Sequence, residues 1–507
     1  MSYLKLQNGS DIRGIALEGI ENQNINLTSK ACYDIALGFA KWLSENKKKN
    51  NSQLKIAIGR DSRISGPAIR DAIISAFNES NINTYDFGLA STPAMFISTV
   101  LENYQYDAGI MITASHLPFN RNGLKFFTCD GGLDKKDITQ ILTYAQKFEG
   151  QEQQSFDTTC STTIDFMSVY SNVLVEKVRS SVDSSCYNEP LKGFKIIVDA
   201  GNGAGGFFAQ KVLVPLGADI SGSQFLEPDG TFPNHAPNPE DPSAMESIKN
   251  AVLKNKADLG IIFDTDVDRA GAVDRNGKEI NRNKLIALIS AIALQEHPHT
   301  TIVTDSITSD GLSEFIQSLG GIHHRFKRGY KNVINEAIRL NSTGQDCQVA
   351  IETSGHGALK ENYFLDDGAY LITKILITMA KLKQQNKEIT SLISTLQEPL
   401  EQVELRFNIT DPNFKDYGSK ILQEFEEFAA ANQLNIVKPN YEGIRISFPK
   451  QQGWLLFRMS LHDPLMPLNI ESNIENGCKS IAAEFFGFIR QFDGIELKNI
   501  KEYLLNE

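Results

Sequence analysis

Short apolar strands alternate with helices through residue 398, and this alternation constrains the fold more than any other feature of the sequence. Residues 54–59, 85–88 and 107–113 have the apolar composition of buried strands. Helices are predicted between them at residues 66–80 and 92–102. Strands that alternate with crossover helices pair mainly in parallel, so the pattern predicts α/β layers.

The alternation stops and restarts, which predicts several domains. A polar stretch at residues 149–163 interrupts it, and strands followed by helices resume at 194–199 and at 301–304. After residue 398, strands are grouped between two helices, which is typical of an α+β domain. We therefore predict an α/β protein with three successive mixed-sheet domains and a smaller α+β C-terminal domain, with boundaries at 1–160, 161–298, 299–398 and 399–507.

Charge and hydropathy exclude several classes of partner. A net charge of -12 leaves no large basic surface for nucleic acid or for an acidic membrane. The longest apolar run, residues 285–294, is about half the length that a membrane span requires. The sequence starts without a signal-peptide core, and its six cysteines are scattered without a Cys-x-x-Cys pair. We expect a cytoplasmic protein that binds a small molecule, and its oligomeric state stays open.

A polar loop between two apolar runs, residues 111–125, carries a candidate nucleophile. Ser115 leaves the end of a predicted buried strand and is followed by His116, and Lys125 opens the returning strand. The loop lacks the Gly-x-Ser-x-Gly pattern of acyl hydrolases. We interpret Ser115 as a nucleophile or phosphate carrier, and the alternative is a turn with a capping serine.

Three aspartates follow the next strongly apolar strand. Asp264, Asp266 and Asp268 occupy alternate positions, and in an extended chain alternate side chains share one face of the strand. Converging carboxylates repel one another unless a cation neutralises them, and an all-oxygen ligand set suits Mg²⁺. Two alternatives stay open, a solvated acidic turn and an aspartyl-phosphate phosphatase that uses Asp264 as its nucleophile.

Other polar groups are candidates for binding a sugar phosphate. Glu352, Ser354 and His356 follow a strand end and can bind sugar hydroxyls, and His356 can also take part in proton transfer. The glycine-rich segment 201–206 is weak support for a dinucleotide site and is better explained by tight turn packing. An acidic protein needs a local cluster of cations and hydroxyls for phosphate, and the candidates are Arg13, Arg60, Arg63, Lys327, Arg328, Arg458 and Ser460.

Together these segments resemble the α-D-phosphohexomutase family over nearly the whole chain. The serine loop at 113–118 is similar to the family's phosphoserine loop, and residues 264–269 are similar to its metal loop. Residues 352–356 resemble its sugar loop, and Arg458 with Ser460 resembles the start of its phosphate-binding loop. Arg13 and the segment 59–63 resemble further motifs of the first domain.

The resemblance implies a phosphohexomutase, with the active site in a central cleft. Such an enzyme interconverts hexose 1-phosphate and hexose 6-phosphate of glucose, mannose or both, through a phosphoserine and a hexose 1,6-bisphosphate intermediate. By resemblance, Ser115 carries the phosphoryl group and binds Mg²⁺ together with the three aspartates. The implied catalytic residues are Ser115, His116, Lys125, Arg13, Arg269 and His356, and the implied substrate-binding residues are Glu352, Ser354, His356, Lys327, Arg328, Gly329, Arg458 and Ser460.

The sequence departs from the family pattern at three places. Leu117 replaces the usual Asn of the serine loop, and Thr265 and Val267 replace glycines that are common in the metal loop. Residues 460–464 differ from the usual phosphate loop, and His462 there is a candidate for a pH-dependent phosphate contact. The alternatives are an amino-sugar phosphate mutase, a phosphatase and a non-catalytic sugar-phosphate sensor.

Overall fold

The computed structural model describes residues 2–150, 158–182, 187–460 and 463–505. Contacts within the chain divide it into two compact units. The first unit comprises Met1–Leu285 and Ser354–Ser391, and the second comprises Ile286–Thr353 and Leu392–Glu507.

The N-terminal part of the first unit is a mixed sheet with helices. Its strands are β1 (Gln7–Asn8), β2 (Asp11–Ile15), β3 (Lys55–Arg60), β4 (Asn83–Leu89), β5 (Ala108–Ile112), β6 (Arg121–Thr128), β7 (Gly131–Gly132) and β8 (Thr162–Thr163). Its helices are α1 (Ser29–Lys47), α2 (Gly66–Glu79), α3 (Thr92–Val100) and α4 (Lys135–Ala145). The strand order is β1-β2-β6-β5-β3-β4-β8, with β7 beside β6. Strands β5, β3, β4 and β8 run parallel and β6 runs antiparallel to β5, so the sheet is mixed as predicted.

A second mixed sheet completes the larger segment of the first unit. The elements are α5 (Phe166–Ser181), β9 (Ile196–Asp199), α6 (Pro242–Asn255), β10 (Leu259–Phe263), β11 (Ala270–Asp274) and β12 (Glu279–Ile280). Helix α7 (Asn283–Glu296) begins at the end of this segment, and most of its residues belong to the second unit. The strand order is β12-β11-β10-β9, with β9 and β10 parallel and the other pairs antiparallel. Strand β10 is buried along its whole length, which places its C-terminal end inside the protein.

The third group of elements contributes to both units. Its members are β13 (Thr301–Thr304), α8 (Asp310–Ser318), β14 (Ile322–Arg325), α9 (Tyr330–Ser342), β15 (Cys347–Ile351), β16 (Gly357–Leu359), β17 (Leu365–Asp366) and α10 (Gly368–Lys383). In the second unit, β13 lies parallel to both β14 and β15. In the first unit, β16 and β17 form an antiparallel pair that leads into α10.

The C-terminal part of the second unit is an antiparallel sheet with helices. Its elements are β18 (Glu401–Asn408), α11 (Phe414–Ala431), β19 (Asn435–Ile436), β20 (Ile444–Phe448), β21 (Gly453–Phe457), β22 (Leu465–Ser472), α12 (Gly477–Ile489) and α13 (Lys498–Leu505). The order is β18-β22-β21-β20-β19. Aromatic residues fill its core, and Phe425 contacts Phe457, Phe485 and Phe488. The predicted fold class, three α/β regions followed by a C-terminal sheet with helices, is confirmed, whereas the four domain boundaries stay a prediction.

Candidate active site

Ser115 lies just beyond the end of β5 and is almost fully buried. Its φ of +51° places a non-glycine residue in the left-handed region, which costs about 1 kcal/mol or more. The backbone amide of Ser115 donates to Thr113 Oγ1 at 2.9 Å. The serine is therefore held in a strained conformation within a buried loop, rather than lying in an exposed surface turn.

The three aspartates lie in the turn between β10 and β11. Strand β10 ends at Phe263, and one carboxylate oxygen from each of Asp264, Asp266 and Asp268 lies within 4.8 Å of the other two. The predicted convergence is confirmed, but its predicted cause was wrong. A turn brings the side chains together, and Val267 in that turn has a φ of +66°.

The aspartate cluster has the chemistry of a metal site. All three carboxylates are buried, and Asp266 Oδ1 and Asp268 Oδ1 accept no hydrogen bond from the described residues. Burial and the charge of Asp268 raise the pKa of Asp264 well above its ordinary value. Free buried carboxylate oxygens gathered in one place fit a metal ion that takes oxygen ligands.

Lys125 binds two of these carboxylates. Its Nζ donates to Asp266 Oδ2 at 2.9 Å and to Asp268 Oδ2 at 2.5 Å. Burial would raise the pKa of Asp268, but Lys125 holds it below the usual range. The lysine therefore engages one oxygen of each carboxylate, and the other oxygen of each is the one without a hydrogen bond.

Asp264 and Arg269 connect the aspartate turn with the serine loop. Ser115 Oγ donates to Asp264 Oδ2 at 3.0 Å. The fully buried Arg269 donates from Nε to Asp264 Oδ2 at 3.1 Å and from Nη2 to Ser115 Oγ at 3.3 Å. The hydroxyl of Ser115 therefore contacts a carboxylate and a guanidinium that come from a distant part of the sequence.

His116 is held neutral beside Ser115. Its Nδ1 lies 3.3 Å from Ser115 Oγ and accepts a hydrogen bond from Arg269 Nη2 at 2.7 Å. Burial, with the charges of Arg269 and Arg13, lowers the pKa of His116 to about 2. Arg13 also donates to the carbonyl of Ala114 at 3.2 Å, so it lies next to the serine, and its catalytic role stays a prediction.

His356 is held in its charged form in the same unit. Its Nδ1 donates to Asp366 Oδ2 at 2.6 Å and lies 3.9 Å from Asp268 Oδ1. Burial would lower the pKa of His356, but the carboxylates of Asp366 and Asp268 raise it to about 9. Ser354 is also buried, and its Oγ has no hydrogen-bond partner among the described residues. Its hydroxyl is thus a donor and acceptor that remains available to a ligand.

Four of the predicted phosphate-binding residues belong to the second unit, namely Lys327, Arg328, Arg458 and Ser460. Arg458 is 5% exposed, its Nε has no hydrogen-bond partner among the described residues, and its Nη1 lies 3.9 Å from Glu442 Oε1. Glu442 also accepts from the backbone amide of Arg328 at 3.1 Å and from Ser306 Oγ. A buried arginine with an unused donor is suited to an anion.

The remaining predicted residues of the second unit have varied surroundings. Glu352 Oε1 accepts from the backbone amide of Gly329 at 2.6 Å. Lys327 is exposed, and Ser460 Oγ accepts from the backbone amide of Asp463 at 3.3 Å. His462 lies outside the described residues, so its predicted phosphate contact stays a prediction.

The glycine-rich segment 201–206 supports the aspartate turn. Gly203 packs so closely on this turn that a Cβ would lie 2.7 Å from the carbonyl oxygen of Thr265. The amide of Ala204 donates to that same carbonyl at 2.8 Å. Tight packing, the explanation favoured from the sequence, accounts for these glycines.

Several residues of the site were missed by sequence reasoning. Helix α3 begins at Thr92 because Ser91 caps it, and Thr92 Oγ1 donates to Asp266 Oδ2. Asn238 Oδ1 accepts from Arg269 Nη1 at 3.1 Å. The start of α3 carried a visible capping signal, but nothing in the sequence showed that it would meet the aspartates.

Arg63 was expected in a positive pocket for phosphate, and the structure corrects this expectation. Its side chain is fully buried, and its guanidinium is directed at backbone carbonyls of the serine loop. The residue type was visible in the sequence, whereas its burial was not. Arg60, in the same expected pocket, donates to the carbonyl of Asp61 at 3.1 Å.

Comparison with known proteins identifies relatives along most of the chain. Models of the phosphoglucomutase/phosphomannomutase α/β/α domains I, II and III match residues 4–152, 170–277 and 281–398, which together are well over half of the sequence. A phosphoglucomutase of Neisseria meningitidis serogroup A is 29% identical over 481 residues, 94% of each chain. A phosphomannomutase/phosphoglucomutase of Pseudomonas putida is 28% identical over 426 residues, 83% of this chain and 84% of the relative.

Solved structures share the fold. A crystal structure of a phosphoglucomutase/phosphomannomutase family protein from Burkholderia thailandensis has a TM-score of 0.77 and 22% identity, and the match covers 97% of this chain and 98% of that one.

Within the described residues, no helix combines the length and the apolar character needed to cross a membrane.

Proposed function

Because the chain belongs to the phosphoglucomutase/phosphomannomutase family and is a hexose phosphate mutase, we propose that it interconverts the 1-phosphate and 6-phosphate of glucose, mannose or both, with Ser115 as phosphoryl carrier. One observation carries this proposal. Ser115 Oγ, in the loop after β5, lies within hydrogen-bond distance of Asp264 and Arg269 in the turn between β10 and β11. Phosphoryl transfer needs a nucleophile placed among cations and a metal site, and these residues supply that arrangement.

In the proposed reaction, phosphorylated Ser115 donates its phosphoryl group to the free hydroxyl of a hexose phosphate. The product is a hexose 1,6-bisphosphate, and the opposite phosphoryl group then returns to Ser115 Oγ. Ser115 and the three aspartates would hold Mg²⁺, which when bound would supply positive charge against the transferring phosphoryl group. Arg269 lies where negative charge develops on Ser115 Oγ as the phosphoryl group leaves, and Arg13 lies beside the loop.

Proton transfer in this reaction is assigned to groups around the aspartate turn. The sugar hydroxyl must lose a proton as it attacks, and Ser115 Oγ must gain one as the phosphoryl group leaves. Lys125 and His356 are proposed to relay these protons, each accepting one only after it has given up its own. His356 can act as the donor because its pKa, raised to about 9 by Asp366 and Asp268, keeps it protonated at neutral pH. His116 is neutral and accepts from Arg269, so its proposed role is to orient that guanidinium on Ser115.

The second unit supplies the proposed groups for the non-reacting phosphate and the sugar. Arg458 offers the unused Nε donor, and Ser460, Lys327, Arg328 and Gly329 complete this set. Glu352, with Ser354 and His356 from the first unit, is proposed to bind the sugar hydroxyls.

The test is turnover with glucose 1-phosphate, mannose 1-phosphate and glucosamine 1-phosphate, each with trace bisphosphate and Mg²⁺. We expect mutase activity with the first, the second or both, and label from radioactive bisphosphate on Ser115. Ser115→Ala should lose the label and nearly all turnover, whereas Ser80→Ala, in a serine on the end of α2, should keep both.

Each alternative predicts its own result in this assay. Preference for glucosamine 1-phosphate would make the protein an amino-sugar phosphate mutase. Phosphate release that Asp264→Asn abolishes and Ser115→Ala preserves would indicate a phosphatase. Binding of sugar phosphate without any turnover would indicate a sensor.

A further inference from the structure

Arg63 lies inside the first unit, between β3 and the serine loop. It follows β3 by a short turn, and no part of its side chain is exposed to solvent. A buried guanidinium needs partners for its donors, because leaving a buried charge unpaired is costly. The role of Arg63 can therefore be inferred from its hydrogen-bond partners.

The guanidinium of Arg63 donates hydrogen bonds to four backbone carbonyls of the serine loop. Nη1 donates to the carbonyl of Pro118 at 2.8 Å and to that of Arg121 at 3.0 Å. Nη2 donates to the carbonyl of Leu117 at 2.6 Å and to that of Ser115 itself. A single planar group thus fixes the loop at four points, which the single ammonium of a lysine cannot reproduce.

Asp61 anchors this guanidinium to the sheet. Its Oδ2 lies 3.3 Å from Arg63 Nε, and its Oδ1 accepts from the backbone amide of Arg63 at 2.9 Å. The amide of Asp61 donates to the carbonyl of Ile112, the last residue of β5, at 3.1 Å. We call the Arg63 guanidinium with its four carbonyl bonds the clamp. Asp61 fixes this clamp to β5, the strand from which the serine loop starts.

The clamp stabilises an unfavourable backbone conformation of Ser115. Its φ of +51° is unfavourable for a residue with a side chain, so a free loop would relax away from it. Relaxation would turn Oγ away from Asp264 and Arg269, which it now contacts at 3.0 and 3.3 Å. The bonds of Arg63 to the carbonyls of Ser115 and its neighbours oppose this rotation.

We propose that Arg63 is a positioning residue that holds Ser115 Oγ in line for phosphoryl transfer without contacting the substrate. This proposal rests on the proposed role of Ser115 as carrier. Displacement of a reacting atom by about 1 Å can slow a reaction about 100-fold. Loss of the clamp should therefore act on the transfer step itself.

The experiment compares Arg63→Lys with the parent enzyme in a single turnover. Enzyme labelled on Ser115 is mixed with excess glucose 1-phosphate, and the rate constant and amplitude of label loss are measured separately. We expect the rate constant to fall about 10- to 100-fold, while KM changes less than about threefold, since no substrate contact is lost. Arg70→Lys is the matched control, because Arg70 pairs with Asp71 on the surface of α2, and it should keep the parental rate constant.

The separation of rate from amplitude distinguishes positioning from mere folding support. A reduced amplitude with an unchanged rate constant means that fewer molecules fold, and this would overturn the proposal, as would parental values for both. If the parent enzyme takes no label on Ser115, the proposed function fails instead.

A second variant covers the case in which Arg63→Lys does not fold. Asp61→Asn keeps the arginine and removes only the charge that anchors Nε. We expect its rate constant to fall about three- to tenfold, a smaller effect because the carbonyl bonds remain. An unchanged rate constant in a folded Asp61→Asn protein would overturn the proposal in that case.

Discussion

Glu471 on β22 should make the stability of the second unit depend on pH. The side chain is 7% exposed, and its Oε2 accepts from Trp454 Nε1 at 3.0 Å. Burial raises the pKa of Glu471 from the ordinary 4.5 to about 7, although Arg445 and the bond from Trp454 lower it. The other charged groups that act on Glu471 are Asp310, which raises its pKa, and Arg325, which lowers it.

The size and sign of the effect follow from this pKa. The folded state binds the proton more tightly than the unfolded state, so the stabilisation is complete below pH 4.5 and is lost as the pH rises to about 7. At about 1.4 kcal/mol for each pKa unit, the loss is about 3 kcal/mol. Glu471→Gln keeps the shape and the acceptor for Trp454 but cannot ionise, so this part of the pH dependence should vanish.

Fluorescence of Trp454 provides the assay. The chain has two tryptophans, and Trp42→Phe leaves Trp454 as the single probe of the second unit. Urea unfolding at pH values from 5 to 8 should show the parent losing about 2 to 3 kcal/mol relative to Glu471→Gln. Asp61 and Asp367, whose pKa values burial also raises to about 6, are present in both proteins and cancel in the difference. Parallel pH curves for the two proteins would refute the reasoning.

Three further predictions concern the active site. Thr92→Val removes the hydroxyl bond to Asp266 and should weaken Mg²⁺ binding about tenfold in a calorimetric titration, whereas Thr92→Ser should bind normally. Chelation of the metal should abolish turnover but leave the circular dichroism of the protein unchanged, because its hydrophobic cores are large. Cooperative unfolding on chelation would show instead that the metal is structural. Arg458→Ala should raise KM some tens-fold or more by loss of a charged phosphate contact, with partial recovery in Arg458→Lys, and parental constants would place the phosphate elsewhere.

The parts of the site that could be predicted from the sequence are those encoded within a few residues. Ser115 and the three aspartates were proposed because an apolar strand followed by polar residues of defined type is a local pattern. Thr92 and Asn238 were missed because each acts through one tertiary contact with a residue far away in sequence. A hydrogen bond of this kind leaves no trace in composition or periodicity.

Arg63 shows a second limit of sequence reasoning. From the sequence, an arginine near a proposed phosphate site can bind either phosphate or backbone carbonyls. Only the burial of Arg63 in the structure distinguishes these two roles. The alternation of strands and helices predicted the fold class because it extends over many residues. The cause of the aspartate convergence was mistaken because the end of β10 falls one residue before Asp264, which periodicity does not resolve.

Val267 in the aspartate turn has a consequence for how this loop can evolve. Its left-handed backbone costs about 1 to 2 kcal/mol, which glycine would avoid, but its fully buried side chain contributes about 1.5 to 3 kcal/mol, which glycine would forfeit. A single change to glycine therefore gains nothing. A change of Val267 to glycine becomes favourable only after a larger neighbouring side chain fills the space of the valine, so the two substitutions depend on each other and on their order.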